Sequence, residues 1–215
     1  MIDHSLLQPT LTDAELQQGC LLAREYQVAS VCIKPYAVPL ASRLLAGSTV
    51  LVGTTIGFPH GGHATALKMA EAKQALADGA VELDMVVNIG KVLTGDWSFV
   101  ANDIRAVVDL AHQRQALVKV IFENCFLKDE HKEQLCRICG TVGADYVKTS
   151  TGYGSGGATD DDLKLMRRYA PPSVKVKAAG GVRTLDRLLE VRALGVDRVG
   201  ATATKAILDE CKTRL

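Results

Sequence analysis

The stretch ALADGAVELDMV, Ala75–Val86, runs from a helical pattern through a glycine into a short apolar run that carries two acids. Two later segments repeat it: GTVGADYVKTS, Gly140–Ser150, and RALGVDRVGAT, Arg192–Thr202. In each, the glycine (Gly79, Gly143, Gly195) stands where a helix closes with a left-handed residue before an αβ turn. The recurring unit is a helix feeding a strand, and the chain between the copies continues the alternation. Helical patterns cover Ala64–Asp78 and Trp97–Gln113, and Thr12 followed by Glu15 forms a capping box at the start of the first long helix. Eight runs read as strands: IDHSLL, VASVCI, VLVGTTIGF, VELDMVV, LVKVIF, DYVKTS, VKVKAA and DRVGAT. Eight alternating units in this length match a compact, single-domain (β/α)8 barrel over residues 1–215, with its active site at the C-terminal ends of the strands. An open doubly wound sheet is the alternative, because strand number alone does not prove closure.

With 215 residues, 47% of them hydrophobic, the chain can bury one sizeable core, and no segment has the composition of a linker. Its 25 basic and 24 acidic residues leave a formal charge of +1, which offers no basic field for nucleic acid or an anionic membrane. Small-molecule chemistry is the remaining expectation. The opening MIDHSLLQPT has no basic region followed by an apolar stretch, and no apolar run approaches the roughly 18 residues of a spanning helix. These features lead us to expect a cytoplasmic protein without a membrane partner. Six cysteines (Cys20, Cys32, Cys125, Cys136, Cys139, Cys211) are scattered through apolar or helical context, as reduced thiols are. Cys136 and Cys139 form a C-x-x-C, but a zinc site needs a second ligand pair, and only Cys125 and His131 lie near in sequence.

Side chains alternate along a strand, so Glu82 shares a face with Asp84, Tyr146 with Lys148, and Lys175 with Lys177. The apolar alternates, Val81, Leu83, Met85, Val174 and Val176, suit the helix ring. The charged sets, joined by Lys119, then point into a barrel whose interior is ordinarily apolar and branched. A single lysine at a strand end can reach water at the rim. Asp84, Lys148 and Lys177 together, each near the end of its strand, call for a different account. Lys148 and Lys177 fall on the neighbouring sixth and seventh strands, which places their ammonium groups roughly 5 Å apart if the stems run parallel. At an effective dielectric of about 20, the repulsion is about 3.3 kcal/mol, or some 2 to 2.5 pKa units. One lysine of the pair would then titrate near about 8 instead of about 10.4. A neutral amine adds to carbonyls, and a lysine beside a second cation is one route to a Schiff-base nucleophile. Asp84 is placed to neutralise the other lysine and to move protons. The repulsion is nearly symmetric and does not say which lysine attacks.

Two further strand ends read as an anion holder. Backbone amides of Gly180, Gly181, Val182 and Arg183 follow the seventh strand. Gly200, Ala201 and Thr202 follow the eighth and open the last helix, where barrels of this kind bind phosphate. Gly152, in the loop after Lys148, joins this set. A tight βα turn is the alternative reading of the glycines. Gly152, Gly154 and Gly157 also satisfy G-x-G-x-x-G, but three acids, Asp160, Asp161 and Asp162, would confront a pyrophosphate there, and no acid lies about 20 residues on for a ribose. We read that segment as a loop ending in a Thr159 N-cap.

From IDHSLLQP through VCIKP, TIGFPHGG, VELDMVVNIG, YVKTSTG and VKAAGGVR to VGAT, the chain resembles the deoxyribose-phosphate aldolase family, class I aldolases on a TIM barrel. The resemblance implies reversible cleavage of 2-deoxy-D-ribose 5-phosphate to acetaldehyde and D-glyceraldehyde 3-phosphate, in deoxyribose phosphate catabolism. It implies that Lys148 forms the Schiff base, Lys177 perturbs it and relays protons, and Asp84 gives and takes protons. It implies no metal and no organic cofactor, a phosphorylated sugar as partner, and a homodimer as the assembly to expect. Two positions depart from the family pattern. Tyr153 stands where some members carry a phosphate-holding lysine, which makes Arg183 the candidate for that charge. The chain here ends DECKTRL, whereas some members end in a tyrosine-bearing tail involved in proton transfer. Cys32, near the site mouth, reads either as a thiol exposed to a reactive enal or as a small buried hydrophobe. The competing functions are a non-catalytic sugar-phosphate-binding barrel and an aldolase for a related phosphorylated sugar.

Overall fold

The computed structural model describes residues 1–214; Leu215, the last residue of the expected domain, lies outside the described residues. Eight strands, β1 (Ile2–Leu6), β2 (Ser30–Ile33), β3 (Leu51–Ile56), β4 (Glu82–Val86), β5 (Leu117–Ile121), β6 (Tyr146–Lys148), β7 (Lys175–Ala179) and β8 (Arg198–Ala201), close into one barrel in sequence order. Every neighbouring pair is parallel, and β8 returns to β1 through Ile2↔Val199, Asp3↔Gly200 and His4↔Ala201. The open-sheet alternative is thereby excluded.

The outer ring consists of α1 (Asp13–Glu25), α2 (Val38–Leu44), α3 (Thr65–Ala77), α4 (Ile89–Thr94), α5 (Trp97–His112), α6 (Asp129–Val142), α7 (Asp160–Tyr169), α8 (Leu185–Ala193) and α9 (Thr204–Arg214). On α5, Val100, Ile104, Val107, Val108 and Ala111 recur at helical spacing and are buried against the strands. Asp103 sits in the same stripe because Lys68 of α3 reaches it at 2.6 Å and also donates to the Val86 carbonyl, so both charges are buried as a pair. Leu83 and Met85 of β4, Val147 of β6 and Val176 of β7 pack outward into this ring, fully buried.

Local signals sit where the sequence puts them. Thr12 and Glu15 cap α1 reciprocally. Gly79, Gly143 and Gly195 are left-handed, with φ of 103°, 77° and 89°, as turns from helix to strand require. Thr159 caps α7, whose acidic first turn is engaged by other helices: Asp162 pairs with Lys132 and Asp160 with Arg187, each at 2.6 Å. Differences occur at strand ends. Val81 precedes β4 and is exposed at the barrel's lower rim, and Lys175 emerges there over the Tyr146 ring at 5.6 Å. Gly200 and Ala201, expected to follow the eighth strand and open the last helix, lie within β8, and the helix begins at Thr204, two residues beyond Thr202. Among the described residues no helix is long and apolar enough to cross a membrane.

Candidate active site

Strand register builds the site. Lys148 pairs with Lys177 across β6 and β7, Asp84 with Lys119 across β4 and β5, and Lys177 with Arg198 across β7 and β8. Because residues paired across neighbouring parallel strands point to the same face, these charges all turn into the barrel, where they meet across it. Lys177 is ion-paired to Asp3 at 2.6 Å and to Asp84 at 2.8 Å. Lys119 is held by Glu82 at 2.6 Å, by Asp84 at 2.9 Å and by Asp3 at 3.4 Å. Arg198 lies below, at 2.5 Å from Asp3 and 3.2 Å from Glu82. Among the described residues Lys148 has one carboxylate partner, Asp84, whose Oδ2 accepts from its Nζ at 2.6 Å.

The cluster thus joins three carboxylates (Asp3, Glu82, Asp84) to four cationic side chains (Lys119, Lys148, Lys177, Arg198). One positive charge is left over if all are ionised. Lys148, 3% exposed, and Lys177, 1% exposed, are equally out of water, so partner count decides between them. Burial depresses the pKa of Lys148, and repulsion from Lys177 adds to that, against an opposing pull from Asp84. Burial acts on Lys177 in the same direction, but Asp3 and Asp84 outweigh it and hold Lys177 above the ordinary lysine range. Asp84 is itself held well below the usual carboxylate range: burial opposes this, and Lys119, Lys148 and Lys177 overcome it. Read from the sequence, repulsion between the two lysines is the leading cause. The structure corrects that order, with desolvation first and Lys177 a contributor, and it breaks the symmetry that repulsion alone left between the two lysines.

Above the cluster opens a cavity of about 290 Å³ at the C-terminal ends of the strands. Lys148 and Lys177 line its floor, while Asp84, fully buried, supports them from beneath. The same cavity takes in Gly152, the turn Gly180, Gly181, Val182 and Arg183, and the strand end Gly200, Ala201 and Thr202, so every expected site residue except Asp84 borders one space. Gly180 and Gly181 are both left-handed, with φ of 82° and 89°. Gly180 lies directly against Gly157, where any side chain would collide at 2.9 Å, whereas Gly181 faces open space. Thr149 Oγ1 ties the ends of β6 and β7 together, donating to the Ala179 carbonyl and accepting from its amide, both at 3.1 Å.

Tyr153 forms part of the mouth. Its hydroxyl donates to the Leu7 carbonyl at 2.9 Å and its ring meets Phe58 edge-on, with centroids 5.5 Å apart. Cys32 also lines the cavity, where burial pushes its thiol up to about 11 and keeps it protonated near neutral pH. Cys136 and Cys139 are buried on α6, away from this cavity, with the Cys136 thiol pushed up to about 12 by burial.

Asp3 and Arg198 are members of the cluster that sequence reasoning passed over. The alternation used for β4, β6 and β7 applies equally to IDHSL, placing Asp3 and Ser5 on one face, and to RVGA, placing Arg198 with Gly200.

A profile described as DeoC/LacD family aldolase matches residues 1–207. The chain belongs to the DeoC/LacD family of aldolases. Among curated relatives of this aldolase, the deoxyribose-phosphate aldolase of Rhodopirellula baltica is 59% identical over 215 residues, covering 100% of this chain and 89% of the relative. That of Clostridium perfringens is 48% identical over 209 residues, covering 97% and 93%. Among solved structures, the aldolase QR15 superposes with a TM-score of 0.93 at 34% identity, covering 99% of this chain and 94% of that one. The deoxyribose phosphate aldolase of Aeropyrum pernix, described as tetrameric, superposes at 0.91 with 29% identity, covering 100% and 90%.

Proposed function

We propose that this aldolase reversibly cleaves 2-deoxy-D-ribose 5-phosphate to acetaldehyde and D-glyceraldehyde 3-phosphate through an imine on Lys148. One observation carries the reading: a buried cluster with one surplus positive charge meets the cavity at its least-paired lysine. Loss of a proton from Lys148 makes the cluster electroneutral and supplies the free amine.

The amine adds to C1 of the open-chain sugar to give a carbinolamine. Its hydroxyl leaves as water once protonated, and the resulting iminium becomes an electron sink. Removal of the proton from the C3 hydroxyl breaks the C2–C3 bond, the electron pair passing into an enamine while glyceraldehyde 3-phosphate departs. Protonation of the enamine at C2 and hydrolysis of the imine release acetaldehyde and regenerate the lysine. Asp84 and Lys177 move the protons, since Asp84 Oδ2 is shared by both ammonium groups and offers a path between them. The phosphate is held by the amides of Gly180–Arg183, Gly200–Thr202 and Gly152, with Arg183 at the rim supplying charge.

Because the iminium itself stabilises the developing carbanion, turnover of deoxyribose 5-phosphate is expected to persist after exhaustive chelation. Loss with EDTA and recovery on adding zinc would place the reaction in the metal-dependent class instead. The anion site makes a separate prediction. Gly181 is left-handed, a conformation that aspartate tolerates better than most residues, and a Cβ there meets nothing within 4 Å. Gly181→Asp is therefore expected to fold and to place a carboxylate beside the phosphate. We expect KM for deoxyribose 5-phosphate to rise at least about tenfold, as repulsion of one like charge near a surface allows, with a much smaller change for unphosphorylated deoxyribose. Equal changes for the two sugars would remove the assignment.

We assign the enzyme to the cytoplasm, where the six free thiols remain reduced. The assembly we propose, on family resemblance, is a homodimer; a solution mass corresponding to any other assembly would count against it.

A further inference from the structure

Glu123 stands outside the charged cluster, and no step above uses it. It follows β5 by two residues in a left-handed backbone, φ 57° and ψ 65°, which a residue with a side chain adopts at a cost. Its side chain is buried, at 2% exposed, and pairs with no cation among the described residues. Both carboxylate oxygens go instead to one residue of the loop after Lys148: Oε1 accepts from the Thr151 amide at 3.1 Å, and Oε2 accepts from the Thr151 hydroxyl. Burying a carboxylate without a counter-ion is expensive unless its hydrogen bonds are satisfied.

The surrounding geometry makes Thr151 the point of this arrangement. The Phe122 amide donates to the Lys148 carbonyl and the Asn124 amide to that of Thr149, both at 3.0 Å, so the ends of β5 and β6 are joined on either side of Glu123. Gly154 rests directly on the carboxylate: a Cβ there would come within 3.1 Å of Glu123 Cδ and 2.7 Å of Cys125 Sγ. Thr151, Gly152 and Tyr153 border the cavity. Thr151 Oγ1 gives its hydrogen to Glu123 and accepts from the Tyr153 amide at 3.0 Å, which leaves one lone pair and no hydrogen to offer.

We propose that Glu123 is a positioning residue that fixes the polarity of the Thr151 hydroxyl, so that Thr151 presents the cavity with a hydrogen-bond acceptor only and favours substrates bearing a hydroxyl donor there. The inference rests on the aldolase reading above and names a specificity element within that site. Acetaldehyde, which has no hydroxyl, does not use this element.

The test is Glu123→Gln, which keeps shape and loop contacts. Its carbonyl oxygen still accepts from the Thr151 amide, but its amide nitrogen now donates to Thr151 Oγ1, so both lone pairs are taken and the freed hydroxyl hydrogen makes Thr151 a donor where it was an acceptor. KM for deoxyribose 5-phosphate is expected to rise by about tenfold, the loss of roughly one net hydrogen bond, while acetaldehyde and borohydride still leave an adduct on Lys148. Thr151→Val should raise KM similarly and Thr151→Ser should recover most of that loss. The double variant E123Q/T151V should be no worse than T151V, because Glu123 acts through Thr151. Unchanged KM in E123Q, or multiplicative effects in the double variant, would overturn the inference. If E123Q does not fold by circular dichroism, unchanged KM in T151V would overturn it equally. A wild-type enzyme that neither turns over the sugar nor forms the adduct would instead refute the aldolase reading, so the two failures are distinct.

Discussion

Replacing Lys148 with leucine is expected to abolish turnover and to abolish borohydride trapping of acetaldehyde, while the barrel remains folded. Trapping in the wild-type protein should leave a two-carbon adduct on Lys148, located by peptide mass spectrometry. The physical ground is the charge inventory of the cluster. Lys148 contributes the fourth cation to three carboxylates, and its removal leaves Asp84 still paired to Lys119 and Lys177. No buried carboxylate is orphaned, so the variant loses the nucleophile without the several-kcal/mol loss of stability, about 3–5, that follows when a buried pair is broken. The measurement has three outcomes with different meanings. Loss of adduct in a folded variant supports the Schiff-base role. An adduct on Lys177 in the wild type reverses the roles of the two lysines and keeps the aldolase. Absence of any adduct in a folded wild-type protein leaves a sugar-phosphate-binding barrel, in which the charges serve structure alone.

Lys177→Leu should retain Lys148 yet hold it in its charged form. With Lys177 gone, three carboxylates face three cations, and the surplus positive charge that favours deprotonation of Lys148 disappears; the Asp84 oxygen shared by both lysines is left to Lys148 alone. Asp3 keeps Arg198 and Lys119, so the site survives. The free-amine fraction rises as pH passes upward through the pKa of Lys148. Burial and Lys177 set that pKa below the lysine value in the native protein, so trapping should begin at lower pH than for an ordinary lysine. In the variant the onset moves to more alkaline pH. Turnover near neutrality should fall by about two decades, the size of a repulsion of about 3.3 kcal/mol at an effective dielectric of about 20. A fall of that size with an unshifted trapping profile would assign Lys177 to proton transfer alone. No fall at all would remove it from the mechanism.

Register alone brings Lys148 and Lys177 side by side, and alternation alone turns them inward, both legible in YVKTS and VKVKAA. What repulsion between neighbours lacks is direction, since it acts on each equally. The asymmetry in pairing comes from Asp3, at the far end of the chain, which the closure of β1 against β8 carries to Lys177 and not to Lys148.

The sequence by itself determined the eight βα units, because glycine-closed helices and period-two strands are local patterns read over a dozen residues. It determined the inward charge of Glu82, Asp84, Lys119, Lys148 and Lys177 for the same reason, and the glycine turn after β7 through the backbone freedom it announces. Only the tertiary structure decided closure of the sheet, which depends on a pairing between residues nearly the whole chain apart. It also decided which lysine is short of a carboxylate, because ion pairing inside a barrel is set by layer and tilt across non-adjacent strands. Glu123 and Thr151 were beyond sequence reasoning altogether. They lie past the ends of β5 and β6, where no periodicity operates, and they are joined only because closed parallel strands bring successive loops to one rim.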